Sequence, residues 1–333
     1  MTENRQRVEY LDFLRVFATV MVFIIHCTYE YMWDFSNKGE ALWVFLVYLT
    51  ELLRTGVPIF FMISGYLLLQ KDITDIKGFY KKRFLKIAVP FIIYDIFYYI
   101  LNCMIYGSEI TISRFFAELA DKGSAYHLWF VYSILFIYLL MPFLRMMVSK
   151  CSQKALWLLL FLVCFQSTIR PFLNISLNGA LHFYLTDDGF MGYIGYVILG
   201  YIMGTSKFSK KTVWLIYSLG LVSFALFPIW NINTISSTGD FFFNGGYTIN
   251  HYIEAAAVFL FFRTYFNKES RFVSKLSAVS FSAYLIHVAV LQMIQLFELN
   301  FSDGITMLIW TVAVALISFL WGFLEKAVTG AKF

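Results

Sequence analysis

Ten runs of apolar residues, each long enough to cross or nearly cross a membrane, constrain this chain more than any other feature of its sequence. A helix of about 20 apolar residues spans a hydrocarbon core of about 30 Å, and in lipid the backbone must satisfy its own hydrogen bonds. The sequence therefore predicts an all-α polytopic membrane protein with about ten transmembrane helices, forming a single transmembrane domain over residues 1–333. The predicted spans are 10–32, 41–70, 84–106, 127–148, 154–170, 190–206, 212–230, 248–266, 276–298 and 304–325.

The charged residues support this class and orient the chain. Only 14% of the residues are charged and 60% are hydrophobic, whereas soluble domains carry about 25% charge. Twenty of the 26 Lys and Arg residues fall on one side of the predicted path and four on the other, while Arg15 and Arg54 lie within the membrane. Because positive charge collects in cytoplasmic loops, both termini are predicted to be cytoplasmic. These loops account for the net charge of +5, so it indicates no nucleic-acid partner.

The first predicted span carries an arginine and a histidine inside an apolar helix. Arg15 and His26 are eleven residues apart, which places them on one face of the helix and about 16 Å apart along its axis. Ionisable groups at membrane depth are costly and usually face a protein interior or a water-filled cavity. Two interpretations are open. Either the pair is a fixed cation and a titratable base that work together, or Arg15 is paired with Asp12 and His26 bonds a neighbouring helix.

Two further basic segments are ambiguous. The second span breaks at Arg54-Thr55-Gly56-Val57-Pro58, one turn after Glu51, and this break is either a cavity wall or a kink steadied by a Glu–Arg pair. The basic loop 77–86 resembles those that anchor to anionic lipid. However, Arg83 and Lys86, at positions i and i+3 on one helix face, also suit a phosphate ligand.

Candidate substrate-binding side chains gather on the predicted outer side. His127 and Trp129 begin the fourth span, His251 and Glu254 share a face at the start of the eighth, and His182 lies in a loop. For each of the aromatic and histidine residues there is an alternative interpretation, in which the side chain belongs to the amphipathic belt at the membrane–water interface and binds no substrate. The ninth span has a polar stripe, a pattern that most often bonds neighbouring helices and less commonly lines a cavity. It comprises Ser277, Ser280, Tyr284 and His287. The four cysteines occur singly, so no metal site and no disulfide framework is expected.

Together these residues suit an anionic cytoplasmic ligand that reaches across the membrane. Phosphates bind arginine clusters well. An acyl-coenzyme A has phosphates at one end and a long pantetheine arm that could carry a thioester from the depth of Arg15 to that of His26. A neutral imidazole there could act as general base on an acceptor hydroxyl.

The sequence also resembles the integral-membrane acyltransferase-3 family of bacterial envelope O-acyltransferases, over nearly its whole length. The family marker is an arginine, ten residues and a histidine in the first span, which Arg15 and His26 match. Further similar segments are 56–68, 127–130 and 280–287. The family's loop motif of two arginines three apart is matched in part by Arg83 and Lys86, because lysine holds a phosphate as a point charge but not in a bidentate fork.

The resemblance implies transfer of an acyl group, typically acetyl from acetyl-CoA, to a hydroxyl of an envelope or exported carbohydrate on the extracytoplasmic side. It implies a multi-pass protein of the cell membrane, of the stand-alone type without an extracytoplasmic esterase-like domain. His26 would be catalytic. The candidate donor-binding residues are Arg15, Arg83 and Lys86, and the candidate substrate-binding residues are His127, Trp129, His251 and Glu254.

A transporter or flippase for an amino acid or a glycan is the main alternative. Broken helices and buried charges also line transport pathways. The pairing of Arg15 with His26 fits a donor site and a base better than an ion-coupling site. A purely structural scaffold would leave the buried charges unexplained.

Overall fold

The computed structural model describes residues 8–169, 188–238, 246–296 and 303–330, and within these ranges it contains helices and no strands. The loop histidine His182 lies outside the described residues. The helices are α1 (Glu9–Trp33), α2 (Ala41–Leu53), α3 (Gly56–Leu68), α4 (Ile76–Arg83), α5 (Val89–Tyr106), α6 (Ile112–Asp121), α7 (Trp129–Lys150), α8 (Gln153–Cys164), α9 (Asp188–Thr205), α10 (Lys210–Thr238), α11 (Ile249–Tyr265), α12 (Arg271–Ser277), α13 (Ser280–Leu296) and α14 (Gly304–Thr329).

The predicted all-α polytopic membrane architecture is confirmed, but helix length supports fewer complete spans than ten. Among the described residues, six helical segments are long and apolar enough to cross a membrane, and α12 with α13 adds a seventh if the pair, bent by 62°, is counted as one span. The predicted spans at 154–170, 190–206 and 248–266 are helical but short. With 17 residues, α11 is about 25 Å long, less than a core of about 30 Å. Most described side chains of α9 and α11 are buried in the protein. These helices therefore need not match the thickness of the lipid core.

Helix α1 lies at the centre and contacts α2, α3, α11, α12, α13 and α14. About half of its apolar side chains are buried, and Asp12 joins it to α12 because the Ser277 hydroxyl donates to the Asp12 carboxylate at 2.6 Å. At its other end, Asp34 begins a short 3-10 turn, and hydrogen bonds from Ser36 lower the pKa of the Asp34 carboxyl. The helix is continuous, so the predicted spacing of Arg15 and His26 along one face holds.

Three interruptions shape the bundle. The predicted break in the second span lies at Arg54 and Thr55, between α2 and α3. A π-helical turn, Phe84–Ala88, joins α4 to α5. Ala278 and Val279 separate α12 from the sharply inclined α13. Such irregular turns at membrane depth are tolerated where protein or a cavity surrounds them.

Helices α3 and α9 approach each other through glycine. A Cβ atom added at Gly200 would lie 2.1 Å from the Met62 carbonyl oxygen, and one at Gly65 would lie 1.9 Å from that of Val197. Membrane helices commonly use small residues in this way, because close packing replaces the hydrophobic driving force that lipid does not supply. This contact holds α3, and with it the break at Arg54, against the rest of the bundle.

The substitution Gly200→Ala is expected to destabilise the protein by about 1–3 kcal/mol, since the added methyl group meets backbone that has no room to move. The measurement is the midpoint of thermal unfolding of the purified protein in detergent. The matched control is Gly304→Ala, where a Cβ would make an ordinary 3.4 Å contact with Leu42. Equal midpoints for the two variants would contradict the role of Gly200.

Candidate functional site

A cavity of about 600 Å³ opens beside His26. It lies between α1, the break that separates α2 from α3, the start of α7 and the middle of α13. His26, Arg54, His127, Trp129 and Tyr284 are among its lining residues. The volume is typical of a site for a small molecule, which is usually about 300–1,000 Å³. The cavity thus brings together three residues that the sequence singled out separately: His26, His127 and Trp129.

His26 forms a hydrogen-bonded pair with a histidine 261 residues further along the chain. Its Nδ1 atom lies 2.7 Å from Nε2 of His287, and the two rings are nearly parallel. Nδ1 of His287 lies 2.5 Å from the carbonyl oxygen of Tyr284. A carbonyl can only accept, so Nδ1 of His287 carries the hydrogen. With both rings neutral, Nε2 of His287 accepts from the N–H at Nδ1 of His26, and Nε2 of His26 is the nitrogen with a free lone pair.

His127 is fixed against α13, the helix that carries His287. Its Nε2 atom faces the carbonyl oxygen of Leu285 at 3.3 Å, and the Tyr284 hydroxyl donates to the carbonyl oxygen of His127 at 2.5 Å. The Tyr98 hydroxyl donates to the Leu285 oxygen at 2.8 Å as well. The His127 ring meets the His287 ring edge-on, with centroids 4.9 Å apart. These contacts hold the start of α7 to α13 and put a second imidazole beside the histidine pair.

His251 and Glu254 do not line this cavity; they belong to a second, buried cluster with Glu51. Nδ1 of His251 lies 3.2 Å from the Glu254 carboxylate, to which the Ser223 hydroxyl donates at 2.7 Å. The Asn250 amide donates to Glu51. Among the described residues, the ligand atoms of Glu51, His251 and Glu254 lie close enough together, within 4.8 Å, to hold a metal ion. That His251 and Glu254 contact the substrate stays a prediction. The expectation that the protein holds no metal also stays a prediction.

Arg54 connects the two regions. It lines the cavity, and it lies one turn after Glu51 of the buried cluster, at the break that α2 and α3 leave between them. Glu51 lies near enough to Arg54 for the two side chains to interact electrostatically. The two interpretations of the break are therefore compatible, because one residue both faces a cavity and belongs to a buried charge network.

Arg15, Arg83 and Lys86 do not line this cavity. Nη1 of Arg15 pairs with the Asp12 carboxylate at 3.1 Å, which is the contact expected if the arginine is structural, although 31% of the Arg15 side chain stays exposed. Arg83 lies over the rings of Phe79 and Tyr138, at 5.1 and 5.3 Å, and among the described residues its buried Nε has no hydrogen-bond partner.

The structure does not place Arg83 and Lys86 in one regular α-helix, as their predicted i and i+3 positions assumed. Arg83 ends α4, whereas Lys86 lies within the π-helical turn, Phe84–Ala88. A π turn places hydrogen bonds between residues i and i+5 and so widens the turn, which rotates Lys86 away from the position of an α-helical i+3 residue. Lys86 is exposed.

Sequence reasoning did not include His287 or Arg54 among the site residues. The signal for His287 was its place in the polar stripe of the ninth span, and that for Arg54 was the helix break. The stripe both bonds neighbouring helices and lines the cavity. Ser277 and His287 bond Asp12 and His26 on α1, and Tyr284 bonds the His127 carbonyl and lines the cavity.

The comparison with known protein families gives a match over nearly the whole chain. The family model of the acyltransferase-3 family, described as an acyltransferase domain, matches residues 8–324. No curated protein and no solved structure matches the chain.

Proposed function

Since the chain belongs to the acyltransferase-3 family and is a membrane acyltransferase, we propose that it moves an acyl group from a cytoplasmic acyl-CoA to a hydroxyl of an envelope or exported carbohydrate. Acetyl-CoA is the proposed donor, the cell membrane the proposed location, and the acceptor approaches from the extracytoplasmic side. The observation that carries this proposal is the hydrogen-bonded pair of His26 and His287 at the wall of the cavity.

His26 is the proposed general base. Its Nε2 takes the proton of the acceptor hydroxyl while the hydroxyl oxygen attacks the thioester carbonyl carbon. The carbon–sulfur bond then breaks, and the leaving thiolate takes the proton back from the His26 imidazolium. His287 is a positioning residue. By accepting from Nδ1 of His26 it fixes the tautomer that leaves Nε2 unprotonated.

Arg54 is the proposed stabiliser of the negative charge on the thioester oxygen. That charge develops as the hydroxyl attacks, and a fixed cation in a site shielded from water favours the transition state over the uncharged ground state. Arg54 lines the same cavity as His26. The buried Glu51 cluster then has a supporting role, because it holds the end of α2 from which Arg54 projects.

Arg15, Arg83 and Lys86 are the proposed donor-binding residues. The aromatic stacking of Arg83 leaves a guanidinium edge for phosphate, and its buried Nε fits an anionic partner. The arm of the donor would have to pass along α1 from the depth of Arg15 to Val22, which lines the cavity one turn before His26. The proposal therefore requires this face of α1 to open when the donor binds.

The substitution Arg83→Gln is expected to raise the KM for acetyl-CoA about 10–100-fold and to change kcat little, because a hydrogen bond to a charged group is worth about 1.5–3 kcal/mol. The assay is consumption of labelled acetyl-CoA by the purified protein in nanodiscs. Lys82→Gln, an exposed cation in the same loop, is the matched control. A wild-type protein that neither binds nor consumes acetyl-CoA or another acyl-CoA would overturn the proposal and favour the transporter.

A further inference from the structure

The end of the cavity beyond His26 has its own chemistry. Tyr29 and Glu30 follow His26 by one turn of α1, and both are exposed. Gln292 and Gln295 face them from α13, beyond His287, and Tyr126 completes this end. These five residues are called the mouth. They lie on the predicted outer side, where a carbohydrate acceptor would enter.

The hydrogen bonds of the mouth leave acceptor atoms for a ligand. The Gln295 amide donates to the Glu30 carboxylate at 2.7 Å, and the Gln292 amide nitrogen donates to Asn102 at 3.3 Å. The Gln292 oxygen Oε1 has no hydrogen-bond partner among the described residues. A buried acceptor of this kind costs free energy until a donor reaches it. Sugar hydroxyl, amide and ammonium groups are all suitable donors.

The charge of the mouth restricts the ligand further. Among the described residues that line the cavity, Glu30 is the single carboxylate, and Arg54, at the break between α2 and α3, is the single arginine or lysine. The remaining titratable residues that line the cavity are His26, His127 and the tyrosines. A ligand whose sugar ring fills the mouth therefore meets a negative charge and hydrogen-bond acceptors. A carboxylate on that ring would face Glu30, whereas the cation of the cavity, Arg54, projects from the break between α2 and α3.

We infer that the mouth is the acceptor subsite and that it selects an uncharged or amino-bearing sugar against an acidic one. The inference rests on the proposed function and deepens it. Glu30 sets the charge preference, the Gln292 oxygen accepts from a hydroxyl or N–H of the sugar, and the Tyr29 and Tyr126 rings cover its apolar face. The hydroxyl to be acylated then points inward to His26, one turn away along α1.

The test measures binding of three probes to the protein in nanodiscs without an acyl donor: the p-nitrophenyl β-glycosides of glucose, glucosamine and glucuronic acid. We expect the glucuronide to bind about tenfold more weakly than the other two, as for two like charges a few ångströms apart under partial screening. Glu30→Gln should bring the three affinities within about threefold of one another. Glu40→Gln removes an exposed carboxylate that bonds Tyr31 and does not line the cavity, and it should leave the tenfold difference unchanged.

Each outcome has one meaning. Rescue of glucuronide binding by Glu30→Gln alone supports the inference, and it also excludes the missing 6-hydroxyl of the glucuronide as the cause. Three results would overturn the inference. The glucuronide could bind the wild type as tightly as the glucoside does, or Glu30→Gln could leave the difference between their affinities intact. The third is that no probe binds at millimolar concentration. A parallel assay of acetyl-CoA consumption, in which water takes the place of the sugar hydroxyl as acyl acceptor, reports on the proposed function separately.

Discussion

Replacing His26 with glutamine is expected to slow acyl transfer about 10²–10⁴-fold, the usual contribution of a general base, while acetyl-CoA binding stays nearly unchanged. Glutamine has about the size of histidine and can still donate to His287, but it has no nitrogen that takes a proton at neutral pH. The measurements are single-turnover transfer and equilibrium binding of labelled acetyl-CoA in nanodiscs. If binding fell together with turnover, His26 would be a binding residue and the proposed division of roles would be wrong.

Two substitutions of His287 serve as the controls for this result. In His287→Gln the side-chain carbonyl can still accept from Nδ1 of His26, whereas in His287→Phe nothing can. We expect the phenylalanine variant to lose about 10–100-fold in rate and the glutamine variant to retain most of it, since one hydrogen bond of about 1–3 kcal/mol sets the tautomer. Equal losses in both variants, with unchanged thermal stability, would mean that His287 does not act through the hydrogen bond to His26.

The local geometry of the first span could be predicted from the sequence because it depends on one helix. The eleven-residue offset from Arg15 to His26 fixes both the shared face and the separation as long as α1 is continuous, which it is from Glu9 to Trp33. The break at Arg54 was likewise predictable from Gly56 and Pro58, two residues that weaken a helix locally. These are properties of neighbouring residues, and helix geometry converts them directly into structure.

The partners of these residues could not be predicted, because they come from distant parts of the chain. The contact of His26 with His287 joins residues 261 apart, and no periodicity within either span specifies it. The same holds for His251 and Glu254. Their spacing correctly put them on one face, but the rotation of α11 turns that face toward Glu51 instead of the cavity. The π turn at Lys86 is a further case, since hydropathy carries no information about a widened turn.

Arg54 combines a local feature that the sequence predicts with contacts that only the tertiary structure supplies. The sequence predicted a charged residue at a helix break, and the tertiary structure places this residue at a cavity and within electrostatic reach of Glu51. A charge buried without such compensation would cost several kcal/mol. The electrostatic interaction with Glu51 therefore offsets part of this cost in the absence of substrate.

The substitution Arg54→Gln is accordingly expected to lower kcat about 10²–10³-fold, as for removal of a donor to a developing oxyanion, with little change in the KM for acetyl-CoA. Arg54→Lys should recover part of the rate, because it restores the charge without the planar fork. Arg145→Gln is the matched control, since Arg145 binds Asp72 and the Leu69 carbonyl oxygen away from the cavity, and it should keep the wild-type kcat. Steady-state kinetics and thermal unfolding of all three variants decide the matter. A fall in unfolding midpoint that accounts for the loss of rate in Arg54→Gln, or a loss confined to KM, would show that Arg54 serves the fold or donor binding and leaves the oxyanion to another group.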